Sequence, residues 1–70
     1  MREWFRSQWE VVLGVDRVED NDNFFEIGGD SLAALELVER CESVKGVELP
    51  LDALFVDGRF SVVADALIDD

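Results

Sequence analysis

The stretch DNFFEIGGDSLAALELV, residues 22–38, contains the side chain best placed to do chemistry. Ser31 follows Gly28-Gly29-Asp30 and precedes an apolar-rich helical pattern. A serine hydroxyl can act as a nucleophile, and a phosphate ester formed on it at a helix N-terminus would meet free N–H groups and the positive end of the helix dipole. Ser31 or Asp30 can also cap the helix, because both side chains accept hydrogen bonds from first-turn N–H groups. The two glycines remove side-chain bulk, so we expect them to let another molecule approach the hydroxyl.

The letters GDSL, at residues 29–32, also spell a signature of serine esterases. Nucleophilic serine catalysis needs a base to take the hydroxyl proton, almost always a histidine, and a third group to orient that base. The chain contains no histidine and no convincing strand pattern. A hydrolase is therefore rejected, and the sequence predicts no catalytic residue.

Two other candidate chemistries fail on position. The acidic run EDNDNFFE suggests calcium, but an EF-hand loop counted from Asp20 requires glycine at its sixth position, where Phe25 stands. No metal site is predicted.

Cys41 falls on the apolar side of a predicted helix, where a free cysteine acts as a small buried hydrophobe. As the only cysteine it cannot form an internal disulfide, which fits a reducing cytoplasm.

Composition limits the class of protein. Seventy residues suffice for one small domain, predicted over residues 1–70, and leave no room for a deep active-site cleft. Seventeen acidic and six basic residues give a net charge of −11, which disfavours nucleic acid. Such a charge fits two interpretations equally: attraction to partners with basic surfaces, or solubility of a small protein. The sequence has no signal peptide and no membrane-spanning run. We expect a cytoplasmic monomer that does not bind membranes.

Hydrophobic periodicity predicts an all-α fold, a small four-helix bundle of three longer helices and one short helix. The predicted helices are Glu3–Leu13, Leu32–Val44, Leu51–Val56 after Pro50, and a last helix capped by Ser61. Glycines end three of them: Gly14, Gly46 and Gly58 of the pair Asp57-Gly58.

A long loop, Val15–Asp30, joins the first two helices and needs apolar side chains to pin it to the bundle. The candidate pins are Val15, Val18, Phe24, Phe25 and Ile27. The residues expected to face the core from the helices are Phe5, Trp9, Val12 and Leu13, then Ala34, Leu37, Val38, Cys41 and Val44 or Lys45, and finally Val62 or Val63, Ala66 and Leu67.

The second helix also has an outer face with two leucines. Leu32 points nearly opposite the core, Leu35 lies well off the buried stripe, and Glu36 and Glu39 share that side. We call these four residues the docking patch, because apolar side chains ringed by carboxylates beside Ser31 suit a partner protein.

The segment Asp22–Leu32 resembles the pattern D-N-F-F-x-x-G-G-D-S-L of peptidyl carrier (thiolation) domains of nonribosomal peptide synthesis, members of the carrier-protein superfamily. WEVVLGV resembles the first helix of that family, and GVELPLDALF resembles the segment after the second. The resemblance implies that a phosphopantetheinyl transferase, with Mg²⁺, attaches 4′-phosphopantetheine from coenzyme A to Ser31. The thiol of that arm would hold an aminoacyl or peptidyl group as a thioester for adenylation, condensation and tailoring enzymes.

The resemblance also implies a carrier with no catalytic activity of its own. Asp30 would cap the helix or help position the metal of the transferase, and Asp30 together with the docking patch would meet partner enzymes. Glu36, Glu39 and Glu42 make the helix more acidic than in many peptidyl carriers, so an acyl or D-alanyl carrier with a different cargo is an alternative. An unmodified acidic helical interaction module is another. The start at Met1 without a linker favours a free-standing carrier over an excised module.

Overall fold

The computed structural model describes residues 1–68, and most of them are helical. The elements are α1 (Arg2–Leu13), α2 (Ser31–Arg40), a π-helical turn (Cys41–Lys45) that continues α2, α3 (Leu51–Val56) and α4 (Phe60–Ile68). This part of the chain contains no β-strand, only an isolated antiparallel bridge between Asn23 and Arg59. The predicted bundle of three longer helices and one short helix, with a long loop after the first, is confirmed. No helix within the same residues is long and apolar enough to cross a bilayer.

Three helix boundaries lie where the sequence predicted a stop or start residue. Gly14 ends α1 in the left-handed conformation (φ 68°), and its N–H donates to the Glu10 carbonyl at 2.9 Å. Gly46 ends the π turn in the same conformation (φ 66°). Pro50 directly precedes α3, where its missing N–H costs no helical hydrogen bond.

The core is built around Trp9, which is completely buried and meets three other buried aromatic rings. Its centroid lies 5.9 Å from that of Phe5, 5.0 Å from Phe24 and 5.2 Å from Phe60, each in an edge-on arrangement. Such pairs contribute about 0.5–1.5 kcal/mol each beyond the area they bury. Because the rings come from α1, the long loop and α4, the cluster joins three parts of the chain.

Aliphatic and small side chains complete the core around these rings. They are Val18, Ala34, Leu37, Cys41, Leu49, Leu54, Val63 and Ala64.

Arg6 fastens the long loop, residues 15–30, to α1. Its guanidinium donates to the carbonyl oxygen of Val18 at 2.6 Å and to the carboxylate of Asp20 at 2.7 Å. The same group lies 4.4 Å from the centroid of the Phe60 ring, close enough for a cation–π contact. The hydrogen bond from Arg6 lowers the pKa of Asp20.

Backbone hydrogen bonds join the same loop to the turn between α3 and α4 and to the first two residues of α4. The three bonds, of 2.8–2.9 Å, run from Phe24 N to Gly58 O, from Phe60 N to Asp22 O and from Ser61 N to Asp20 O. The loop is therefore bonded to the rest of the protein from Val18 to Phe24, although it contains no helix or strand.

The prediction for the end of the second helix was wrong. Ala34, Leu37 and Cys41 are buried as expected, but Val44 is 61% exposed and Lys45 is exposed as well. The reason is the π turn, in which i→i+5 hydrogen bonds add a residue to the turn and shift the phase of every later side chain.

Three further expectations are corrected by the packing. Phe25 does not pin the loop to the core: it is exposed, and its ring stacks on Phe55 with centroids 5.6 Å apart. Ser61 does not cap α4, because that helix begins at Phe60. Ala66 is exposed, whereas Ala64 is buried.

Gly29 is required by close packing inside the protein. A Cβ added there would overlap the ring of Phe24 and would lie 2.5 Å from the Phe24 carbonyl oxygen. Phe24 is buried and cannot move aside without disturbing Trp9.

We expect Gly29→Ala to destabilise the protein by at least about 2 kcal/mol, because overpacking a rigid site forces both ring and backbone to shift. Gly14→Ala is the matched control, since a Cβ at Gly14 meets nothing within 4 Å and only the left-handed conformation is penalised, at about 1 kcal/mol. Urea unfolding measures both. Equal losses would show that Phe24 does not enforce a glycine here.

Candidate functional site

Asp30 is the cap of α2, and Ser31 is the first residue of the helix. Oδ1 of Asp30 accepts a hydrogen bond from Ala33 N at 2.9 Å, while its backbone is extended (φ −143°, ψ −170°). Of the two capping residues that the sequence allowed, the structure uses Asp30. Ser31 is exposed, so its hydroxyl is left at the surface at the positive end of the helix.

The glycines before the site have roles different from the predicted one. We expected both to clear space for a visiting molecule, but Gly29 instead faces Phe24 within the protein. Gly28 has φ 114°, a conformation that side chains rarely adopt, and a Cβ there would meet nothing within 4 Å. Gly28 therefore allows the backbone to turn with a positive φ, and Gly29 allows the close contact with Phe24 just before α2 begins.

One hydrogen bond connects this contact to the helix start. The N–H of Gly29 donates to the carbonyl oxygen of Phe24 at 2.8 Å. Because the Phe24 ring is buried against Trp9, the backbone one residue before the Asp30 cap is held to the core. The position of Ser31 thus follows from a buried aromatic ring seven residues earlier.

The docking patch lies at the surface as predicted. Leu32 is 76% exposed and Leu35 is 60% exposed, and both glutamates of the patch are exposed. Glu36 also lies 3.5 Å from Nε of Arg40, a surface ion pair of the i,i+4 type that contributes little to stability. The structure therefore brings exposed apolar side chains and carboxylates together on the helix that begins at Ser31.

A second exposed apolar group was missed at the sequence level. It consists of the stacked rings of Phe25 and Phe55 together with Val56, which is almost fully exposed. The sequence indicates this group only through the helical positions of Phe55 and Val56, which place them away from the side of α3 that carries the buried Leu54.

Two carboxylates of the acidic loop hold the loop in place. Asp20 pairs with Arg6, and Asp22 accepts a hydrogen bond from Glu19 N at 2.8 Å. Within residues 1–68, no three histidine, cysteine or acidic side chains are grouped so that they could hold a metal ion.

Cys41 is buried, as predicted, and faces the core. Burial raises the pKa of its thiol to about 11, and the charge of Glu42 adds to the rise. The thiol therefore stays protonated and unreactive at neutral pH, because only the thiolate is nucleophilic.

Comparison with known proteins agrees with this geometry. The family described as "Phosphopantetheine attachment site" matches residues 3–67, and the chain belongs to that family. The chain is a carrier domain of the peptidyl carrier type; such domains carry covalently attached phosphopantetheine and are not catalytic.

Three similar proteins illustrate the relationship. Phosphinothricin tripeptide synthetase PhsC of Streptomyces viridochromogenes is 43% identical over 56 residues, 80% of this chain, which spans only 5% of that relative's length. The structure of the phosphopantetheine transferase Sfp in complex with coenzyme A and a peptidyl carrier protein contains a chain that superposes with a TM-score of 0.86 and 33% identity, covering 99% of this chain and 90% of its own. The solution structure of PCP, a prototype for the peptidyl carrier domains of modular peptide synthetases, gives a TM-score of 0.73 at 36% identity, with 94% and 87% covered.

The start of α2 fits a phosphopantetheine group. The Ser31 hydroxyl is exposed and is not needed as the helix cap, since Asp30 fills that role. The N–H groups of Ser31 and Leu32 precede the first helical hydrogen bond and have no carbonyl partner within the helix. A phosphate ester at this position would gain from those donors and from the helix dipole. When bound, the group supplies the thiol that this chain does not expose.

We expect Leu35→Asp to change the free energy of unfolding by less than about 0.5 kcal/mol, because the side chain is already at the surface. Leu37→Asp, the same substitution two residues along α2, places a charge at a position with no exposure and should unfold the protein. Circular dichroism and urea titration distinguish the two. Loss of helix in Leu35→Asp would contradict the assigned face.

We expect the Cys41 thiol of the unmodified protein to react with Ellman's reagent at about pH 8 at least ~100-fold more slowly than in the urea-unfolded chain. A rise of the pKa from 9.0 to about 11 lowers the thiolate population by that factor, and burial adds to it. The same shift makes the free energy of unfolding depend on pH. The thiol leaves the free energy of unfolding unchanged below 9.0, the pKa in the unfolded chain. That free energy then falls as the pH rises towards about 11, because the unfolded chain ionises its thiol before the folded protein does. Equal reaction rates in the two states would disprove the burial of the thiol.

Proposed function

We propose that Ser31 is the residue that receives 4′-phosphopantetheine from coenzyme A, through a phosphopantetheinyl transferase with Mg²⁺. The serine oxygen would form the new bond to phosphorus, and adenosine 3′,5′-bisphosphate would leave. The loaded arm would then hold an aminoacyl or peptidyl group as a thioester and present it to partner enzymes in nonribosomal peptide or hybrid biosynthesis.

The observation that carries the proposal is the exposure of the Ser31 hydroxyl at the start of α2, where it does not serve as the helix cap. Asp30 makes the capping bond and the helix supplies free N–H groups. This chain has no histidine to act as a base, so the proposal assigns the proton transfer to the transferase. The other exposed serines, Ser7 and Ser43, lie within helical segments and not at the start of one. The similar structure with Sfp and coenzyme A supports the same kind of partner for this chain.

The docking patch is the surface proposed to meet these partners. Leu32 and Leu35 offer apolar area, and Glu36 and Glu39 offer charges for basic residues of the transferase, the adenylation enzyme and the condensation or tailoring enzymes. Asp30 stands between this patch and the loop and helps present the serine. The proposed carrier acts as a single domain over residues 1–70, as a cytoplasmic monomer with no nucleic-acid or membrane ligand.

Incubation of the unmodified protein with coenzyme A, Mg²⁺ and a broad-specificity transferase should add the mass of one phosphopantetheine. Ser31→Ala should abolish this gain, because the acceptor oxygen is removed. Ser43→Ala is the matched control, since it deletes an exposed hydroxyl further along the same helical segment and should load like the wild type. Leu35→Asp should load more slowly if the docking patch meets the transferase. Intact-protein mass spectrometry follows each reaction.

Two results would refute the proposal. One is an unchanged wild-type mass under conditions that load a reference carrier, and the other is a full mass gain in Ser31→Ala. Screening purified adenylating enzymes against the loaded protein, with mass detection of the thioester, then shows whether the cargo is D-alanine, another amino acid or a simple acyl group.

A further inference from the structure

The side chain of Asn23 bridges the long loop and the turn between α3 and α4. Its Nδ2 donates to the carbonyl oxygen of Asp57 at 2.8 Å, a partly buried bond across 34 positions of sequence. Its Oδ1 accepts from the N–H of Phe25 at 2.9 Å and closes a local turn. One amide group therefore makes a long-range bond with its donor end and a local bond with its acceptor end.

The turn is shaped to receive this side chain. Gly58 has φ 83°, and a Cβ on it would lie 2.9–3.1 Å from atoms of the Asn23 carboxamide. The carbonyl of the same glycine accepts the N–H of Phe24 at 2.8 Å. A glycine is thus required both for the backbone conformation and for the closeness of Asn23, so the contact is built from both sides.

The residue is linked to the attachment site through the backbone. The carbonyl of Asn23 accepts hydrogen bonds from Glu26 N and Ile27 N at 3.0 and 3.1 Å, which fold the segment after it into a compact turn. That turn ends at Gly29, whose N–H bonds to the carbonyl of Phe24. Movement of Asn23 away from the α3–α4 turn would release both ends of the segment that leads into Asp30 and Ser31.

We propose that Asn23 is a positioning residue for attachment at Ser31. Its carboxamide holds the loop on the α3–α4 turn and thereby keeps the start of α2 in the arrangement that the transferase recognises. The inference rests on the proposed function, since it concerns the same serine. Asn23 touches neither the hydroxyl nor the incoming group and acts only through Phe24 and Gly29.

Asn23→Asp tests this directly, because it keeps the shape and the acceptor for Phe25 N while removing the donor to the Asp57 carbonyl. Asn21→Asp is the matched control: Asn21 is exposed in the same loop, and the substitution adds the same charge. Asn23→Ser is the second variant. It is uncharged, still accepts from the N–H two residues on, and is too short to reach the carbonyl. It keeps the test valid if the aspartate variant does not fold.

Amide hydrogen exchange is the first measurement. The protection of the Phe24 and Gly29 amides should fall about tenfold in both Asn23 variants, as expected for the loss of one hydrogen bond from a local opening equilibrium. The amide of Trp9 in α1 should keep its protection, as should all three amides in Asn21→Asp. An equal fall at Trp9 would reduce Asn23 to a general stabilising residue and overturn the proposal.

The second measurement is the kinetics of phosphopantetheine loading with coenzyme A. The KM for the carrier should rise, with kcat unchanged, by the factor by which the Asn23 variants lower the fraction of molecules that have the start of α2 in place, about threefold where that fraction falls to a third. A lower kcat with an unchanged KM, or loading equal to that of Asn21→Asp, would overturn the proposal. Failure of the wild type to load would instead refute the attachment at Ser31, so the two failures are distinguishable.

Discussion

The burial of Phe24 under Trp9 is the constraint on which the rest of the molecule depends. The two rings lie 5.0 Å apart edge to face, and neither is accessible to solvent. This contact holds a loop without regular structure against the core. The carbonyl oxygen of Phe24 is thereby placed to accept a hydrogen bond from the N–H of Gly29. The start of α2 is then held by packing and by the Asp30 cap together. A small domain thus presents a serine at its surface with a rigid support beneath it.

The chain exposes a hydroxyl and a recognition surface but lacks the groups that would make it a catalyst. It has no histidine to act as a base, its only thiol is buried with a raised pKa, and Asp20 and Asp22 of its acidic loop hold that loop in place. The surface instead offers an accessible hydroxyl, two exposed leucines and an excess of negative charge. These are features that other proteins can recognise, and they agree with membership of a family whose domains carry a prosthetic group to other enzymes.

Much of the architecture was predictable because it depends on local rules. Gly14, Gly46 and Pro50 place helix ends through backbone conformation alone, and the spacing of Phe5, Trp9, Leu37 and Cys41 defines faces that a regular helix must bury. The exposure of Leu32 and Leu35 followed from the same periodicity, whereas Ser31 was singled out by its place after two glycines at the start of a helix. Predictions failed where a regular period was extended too far. Val44 and Lys45 followed an α-helical phase that the π turn ends, and Ala66 was expected on a face that α4 does not bury.

The sequence by itself determined the class of fold, the helix ends, the burial of Cys41 and the exposure of Leu32 and Leu35, because these depend on residues within one or two turns of each other. Only the tertiary structure decided why Gly29 has to be glycine, since Trp9 fixes the Phe24 ring beside it, and how Asn23 meets Asp57. Those features arise where the long loop meets α1 and the α3–α4 turn. Contacts between residues so far apart in the chain leave no periodic trace, since their distances are set by packing of the whole core.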